Sequence, residues 1–167
     1  MHKKVANKKS IMKQNTTNTN AFLIHISAFA GFVFPFGQII TPLIAWQTLK
    51  QRSPFLDAQG KEAVNFNLSY TLYAGIISLI LGGFFVGSIF RNLSSITNLN
   101  ALDFHFHSGT VFNFIGLSTL TGIVTLTGVA LVIIAALKAK EGENYQYPFT
   151  IKFIKYLALK KLRNLVY

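Results

Sequence analysis

Apolar positions along this chain gather in three long runs that contain no Asp, Glu, Lys or Arg. Ala63 to Phe90 is 28 residues long and Gly109 to Leu137 is 29. A third uncharged stretch lies between Lys13 and Lys50, and its apolar part runs from about Phe22 to Leu49. A helix rises about 1.5 Å per residue, so roughly 20 apolar residues cross a hydrocarbon layer about 30 Å thick. All three runs pass that length. None shows the polar face that a helix of a soluble bundle would turn to water. The pattern predicts an all-α membrane protein.

Proline divides the first run. Phe34-Pro35-Phe36-Gly37 and Pro42 interrupt it, and proline removes a backbone donor and clashes with the preceding turn. The segment therefore reads as two short helices, about 21–33 and 38–50. They form either a broken hairpin that dips into the bilayer or one kinked span. Ser53-Pro54 opens the next helix, because serine caps and proline is tolerated at the first helical position. The expected fold is thus a broken helical hairpin plus two transmembrane helices, four helical segments in all, followed by a C-terminal surface helix. Residues 1–20 are polar, biased to Lys, Asn, Thr and Ser, and read as a flexible basic tail. Residues 21–147 form the helical membrane domain. Residues 148–167 place Ile151, Ile154, Ala158, Leu162 and Leu165 on one helical stripe with Lys152, Lys155 and Arg163 mostly opposite, as in a basic interfacial helix.

Charge adds direction to this outline. The formal net charge is +11, but the 16 basic residues flank the apolar runs. Five lie in the first 13 positions, three in the 50–62 connector, one (Arg91) in the 91–108 connector and seven after residue 137. That distribution is unlike a nucleic-acid surface, where basic residues spread over a fold among exposed aromatics. It suits orientation signals and contacts with anionic lipid head groups. The positive-inside rule puts both termini and 50–62 in the cytoplasm and 91–108 outside, as expected for an integral protein of a bacterial cytoplasmic membrane. The hairpin follows from that reading, since a single kinked span would export the N-terminal lysines. Ala28-Phe29-Ala30 resembles a signal-peptide cleavage site, but the apolar run before it is only seven residues and contains His25.

Candidate chemistry is sparse. There are five acidic residues (Asp57, Glu62, Asp103, Glu141 and Glu143) and no cysteine. Without cysteine there is no thiolate zinc site, disulfide or thiol catalysis. Asp103, His105 and His107 could converge on a metal only from an extended strand, and a polar connector with interfacial aromatics is the simpler account. His25 reads as a packed or interfacial imidazole. No phosphate loop, nucleophile elbow or paired histidine–glutamate motif is present. The sequence therefore predicts no enzyme, no catalytic or metal-binding residues and no cofactor. Rows of small residues (Ala74, Ser78 and Gly82; Gly83 and Gly87) would let another helix approach closely, inside one bundle or between copies. Ser118, Thr119, Thr121, Thr125 and Thr127 suit packing through back-bonds or bridges.

The distinctive polar constellation is Ser53 to Asn67. Asp57 and Lys61 are i, i+4 partners, Gly60 invites close approach by another backbone, and Asn65 needs a partner where the helix enters lipid. A second polar run, Glu143-Asn144-Tyr145-Gln146-Tyr147, should emerge on the same face. Asp57, Gln59, Gly60, Lys61, Glu62, Asn65, Glu143, Tyr145 and Tyr147 are the candidate residues for a structural or partner-binding polar motif. The leading reading is a clasp in which the two runs meet by hydrogen bonds, ahead of a ligand site. These runs, with Phe34-Pro35-Phe36-Gly37, resemble a widespread family of small prokaryotic membrane proteins of unknown function. That family is related to the twenty-kilodalton subunit of the chloroplast inner-envelope import translocon (Tic). The resemblance covers about residues 21–154 and implies a helical membrane domain with no known enzyme activity and no catalytic residues. The expected function is a non-enzymatic membrane protein that assembles with itself as a homo-oligomer or with another membrane protein. A channel or protein-translocation subunit is the alternative, and a membrane-embedded enzyme ranks last.

Overall fold

A computed structural model describes residues 2–93 and 108–155. In chain order it contains α1 (His2–Ile26), a 3-10 turn (Ser27–Phe32), α2 (Gly37–Leu49), α3 (Pro54–Leu93) and α4 (Ser108–Glu141). Among the described residues the architecture is all-α, with four helices and no strand. Pro54–Gly83 and Ile115–Glu141 are long and apolar enough to cross a membrane.

The segment broken by proline folds back on itself. The Thr41 hydroxyl is 2.5 Å from the Ser27 carbonyl and 2.8 Å from that of Gly37, so it ties α2 to the turn after α1. Farther from the tip, Ala45 and Leu49 of α2 pack on the cluster that contains Ala21 and Ile24 of α1. Partners on α2 rise in number as those on α1 fall, which is the register of an antiparallel hairpin. The reversal lies at Phe34-Pro35-Phe36, where Phe36 takes a left-handed conformation (φ 60°) before α2 begins. Pro42 lies buried within this 13-residue helix.

The described chain divides into two compact units. The first joins residues up to Tyr70 with Val129 onward. Its core has two clusters: Ala21, Ile24, Leu56, Ala63 and Ala139, and then Ala28, Phe66, Val132, Ala135 and Tyr147. Alanines dominate because four helical segments meet here, and small side chains let their backbones come close. The second unit, Thr71–Gly128, carries the rest of α3 and the start of α4. Its large apolar side chains point outward: Leu79 is 78% exposed and Leu126 70%, with Ile76, Ile80 and Ile123 also exposed. Uncovered apolar surface of that extent is costly in water and is the normal surface of a helix in lipid.

Two sequence expectations are corrected. Residues 2–20 are not an irregular tail; they are the first five turns of α1. They hold no proline or glycine, and Thr16, Thr17 and Thr19 bond back to carbonyls four residues earlier. A helix already fixed by packing at Ala21 and Ile24 extends outward without a new nucleation cost. At the other end, Pro148 to Lys155 is not helical. Pro148 lacks a donor, Phe149 is left-handed (φ 56°), and the N–H groups of Ile151 and Ile154 donate to side chains of α3. The remainder of the expected surface helix, 156–167, lies outside the described residues. So do most of the 91–108 connector and the possible ligands Asp103, His105 and His107 within it.

Candidate functional site: a buried polar network at the head of α3

Helix α3 begins where Ser53 caps it: the Phe55 N–H donates to Ser53 Oγ (3.1 Å) and the Asp57 N–H to the Ser53 carbonyl (3.1 Å). From there the helix presents polar side chains toward α1, α2 and the segment after α4. Helix α4 stops in a Schellman turn. Gly142 (φ 84°) donates to the Ala139 carbonyl (3.1 Å) and Glu143 N–H to that of Lys138 (2.9 Å). That turn aims Glu143 to Tyr147 back across the head of α3.

Gln59 is the hub, 1% exposed. Its Nε2 donates to the Glu143 backbone carbonyl (3.2 Å) and to Asn144 Oδ1 (3.1 Å), and its Oε1 lies 2.7 Å from His25 Nε2. Proton positions follow from chemistry alone. A backbone carbonyl only accepts, so the Gln59 amide nitrogen must face Glu143 and its oxygen must face His25. That oxygen only accepts, so His25 carries its proton on Nε2. His25 Nδ1 is then an acceptor, and the Tyr147 hydroxyl 2.9 Å away donates to it. The result is a directed chain from Tyr147 through His25 and Gln59 to Glu143. Tyr147 is stacked on Phe66 (centroids 4.0 Å apart, planes 12° apart) and meets Tyr145 edge-on at 5.4 Å. Burial pushes the His25 imidazole down to about 4, the Gln59 hydrogen bond opposing. Burial also raises the Tyr147 phenol, as do Tyr145 and Glu62. Both residues are therefore neutral near pH 7.

Toward α2, Asp57 accepts from Trp46 Nε1 (2.9 Å) and pairs with Lys61 (2.6 Å). Gly60 lies flat against Trp46, where a Cβ would overlap the ring and Cβ of that tryptophan. Lys61 and Glu62 are buried with Gln59. One turn on, Asn65 is fully buried and forms two bonds to one residue: Ile154 N–H donates to Oδ1 (2.8 Å) and Nδ2 donates to the Ile154 carbonyl (3.0 Å). Ser69 accepts from Ile151 N–H (2.8 Å) and donates to the Asn65 carbonyl (2.8 Å). Among the described residues no buried side-chain nitrogen or oxygen lacks a hydrogen-bond partner.

The structure thus brings Gln59 against the Glu143 backbone and Tyr147 within one residue of Gln59. Asn65 sits against residues beyond that run, and the Glu143 carboxylate turns outward to Lys138 (2.9 Å). Sequence reasoning missed the bridging role of His25, the part played by Ser69, and Trp46 as the neighbour of Gly60. A signal existed for His25: an ionisable side chain inside an apolar run needs a satisfying partner. No group of three or more metal-ligating side chains occurs among the described residues.

Compared with known families, residues 16–154 match the magnetosome magnetite crystal formation protein family (MamF/MmsF). The match takes in the last part of α1, the other three helices and both polar runs. The chain belongs to this family. No curated protein and no solved structure matches it. The sequence expectation of a small prokaryotic membrane-protein family holds in that form, whereas no comparison supports the expected tie to the chloroplast translocon. Membership in the magnetosome family and the two apolar helices together make this a membrane protein.

Proposed function

We propose that this chain is a non-enzymatic structural component of the membrane in which magnetite crystals form, acting by assembly with itself or with other membrane proteins. Its family membership supports the setting. The observation that carries the mode of action is the contrast between inside and outside. Buried polar side chains are consumed by internal hydrogen bonds. On the outward part of α3, by contrast, a Cβ added at Gly75, Gly82 or Gly83 would meet open space. Small residues on an apolar helix surface let a second helix come within close backbone contact. Two differently tagged copies, co-expressed and solubilised in mild detergent, should co-purify, and Gly82→Ile with Gly83→Ile should reduce recovery of the second tag. Cells that make the mineral should form crystals of altered size when the protein is removed. Unchanged crystals would overturn the setting, and a protein recovered alone, with no second tag and no other membrane protein, would overturn the assembly.

We also propose a bacterial cytoplasmic-membrane orientation with both termini cytoplasmic. The excess of basic residues at the two ends and the antiparallel hairpin, which returns the chain to its starting side, support it. Anionic head groups are the expected contact of those lysines. Reporter fusions at residues 5 and 165 should both read cytoplasmic. An external residue 5 would reverse the hairpin's placement.

A further inference from the structure

The α1–α2 hairpin turns apolar side chains outward and polar ones inward. At its reversal Phe32 is 70% exposed, Val33 83% and Phe36 62%, and Ile40 and Ile44 continue the bare apolar face along α2. The polar side chains point into the seam. Thr41 bonds to the Ser27 and Gly37 carbonyls, and Gln38 lies over Gly31, where a Cβ would overlap it. A Cβ at Gly37 would overlap the Ala30 carbonyl, so the two arms meet backbone to backbone. The reversal also bonds to itself. The N–H groups of Val33 and Phe34 donate to the Ala30 carbonyl, that of Gly37 to Phe34, and those of Ile39 and Ile40 to Phe36. Pro35 has no N–H to satisfy. Hydrocarbon demands closed backbone bonds beneath an apolar surface, and water does not.

Length and charge set how far the hairpin reaches. In α2 only Gly37 to Trp46 precede the polar Gln47, Thr48 and Lys50. That part is about 15 Å long by the helical rise, half of a hydrocarbon layer about 30 Å thick. Cations gather at the base. Lys50 lies over the Trp46 ring (5.4 Å), Lys140 over that of Phe22 in α1 (5.6 Å), and Arg52 is exposed. Between Lys13 and Lys50 the chain carries no charged residue. A basic base and an uncharged tip suit anionic head groups above acyl chains. Ala28, in the turn after α1, shares a cluster with Phe66, close to the start of the uncharged run of α3.

We propose that the α1–α2 hairpin is a wedge in one leaflet: its tip lies among the acyl chains on the side of its basic base, and the protein thereby prefers membrane that is convex on that side. Helices α3 and α4 take up room in both leaflets, whereas the two arms, each about 10 Å wide, take up room in one. The fuller leaflet has the larger area and lies on the outside of a bend, which is why shallow insertions respond to curvature. The inference rests on the proposed orientation only for which leaflet is filled. With the base in the cytoplasm, the favoured shape is membrane that bulges into the cytoplasm.

Two measurements on the full chain test this. The chain has no cysteine, so a fluorophore on Val33→Cys reports from the tip alone. In vesicles of phosphatidylcholine and phosphatidylglycerol it should be quenched by lipids brominated along their acyl chains, and not by iodide on either side. Quenching by iodide would put the tip in water, and quenching by neither would put it under protein; each overturns the wedge. Next, narrow tubes are drawn from giant vesicles of the same lipids, and molecules with the N-terminal tag outside are counted. Their density should be higher on the tube than on the parent vesicle, and lower for molecules with the tag inside. Phe32→Glu with Val33→Glu changes two exposed side chains, so the protein should stay in the membrane and unfold at the same temperature, with equal densities on tube and vesicle. Equal densities for the unsubstituted protein, or enrichment that persists in the glutamate variant, overturn the wedge. Co-purification of two tagged copies separates this result from the self-assembly reading. Tags that stay together in the glutamate variant leave assembly standing whatever the tubes show. Tags that part would make the tip a contact between copies and overturn the wedge.

Discussion

Gln59→Leu is expected to lower the stability of the folded protein in detergent by about 1–3 kcal/mol. The substitution removes an amide whose two ends satisfy the buried His25 Nε2–H and, in a part-buried bond, the Glu143 carbonyl. A buried polar group left without a partner costs about 1–3 kcal/mol, and the leucine strands the His25 N–H. The network also has no spare members to rearrange, since every proton in it is fixed by the Glu143 carbonyl at one end. Gln59→Glu keeps the volume and replaces the donor, so it separates hydrogen bonding from packing and should also destabilise. Gln146→Leu, three residues beyond Glu143 but exposed, is the reference and should change little. Thermal unfolding of the three variants decides the matter; equal midpoints for Gln59→Leu and Gln146→Leu would mean that the network is not what closes the head of the bundle.

Much of this arrangement is legible in the sequence, for reasons that differ by residue. The break at Phe34-Pro35-Phe36-Gly37 is local chemistry, and α2 starts at Gly37 as proline and glycine there require. Ser53-Pro54 marks the start of α3 for the same kind of reason. Gly60 signals close approach, and the approach is real, although the partner is the Trp46 side chain rather than another backbone. Gln59 and Asn65 stand out because amides at the edge of an apolar run must bond to something.

What those amides bond to is not local. Gln59 lies 34 residues beyond His25 and Tyr147 lies 122 beyond it, and no periodicity links them. The misread ends have a common cause. Residues 2–20 lack the apolar stripe that announces a helix, yet they continue one that is anchored farther along. Residues 151–165 do show a helical stripe, yet Asn65 and Ser69 offer the Ile151 and Ile154 backbone partners that a helix would have to give up. In both places a tertiary contact outweighs a weak local preference. The orientation of Asn65 toward Ile154, beyond the Glu143–Tyr147 run, follows equally from a turn that no sequence pattern announces.

Acidification should destabilise the protein through His25. The imidazole is neutral in the fold, with its value lowered by burial from 6.5 to about 4. The unfolded chain therefore takes up a proton at a higher pH than the folded one. Wherever the unfolded state binds more protons, stability rises with pH. The contribution of His25 is thus fully present above about 6.5 and is lost progressively as pH falls toward about 4. One pH unit of separation corresponds to about 1.4 kcal/mol, so the full loss is about 3 kcal/mol. Protonation would also require Nδ1 to donate where it now accepts from Tyr147, whose raised phenol cannot compensate by ionising. The Gln59 oxygen, facing Nε2, suits either form of the ring and lessens the penalty without removing it. Other groups titrate in the same protein, so the measurement is a difference. Unfolding of the unsubstituted protein and of His25→Gln is followed at pH 7.5, 6 and 5. The gap in stability between them should shrink as pH falls, because only the histidine-containing protein loses this contribution. A gap that stays constant from pH 7.5 to 5 would show that His25 is not held neutral by the fold, and the proton assignment of the whole chain from Tyr147 to Glu143 would have to be abandoned.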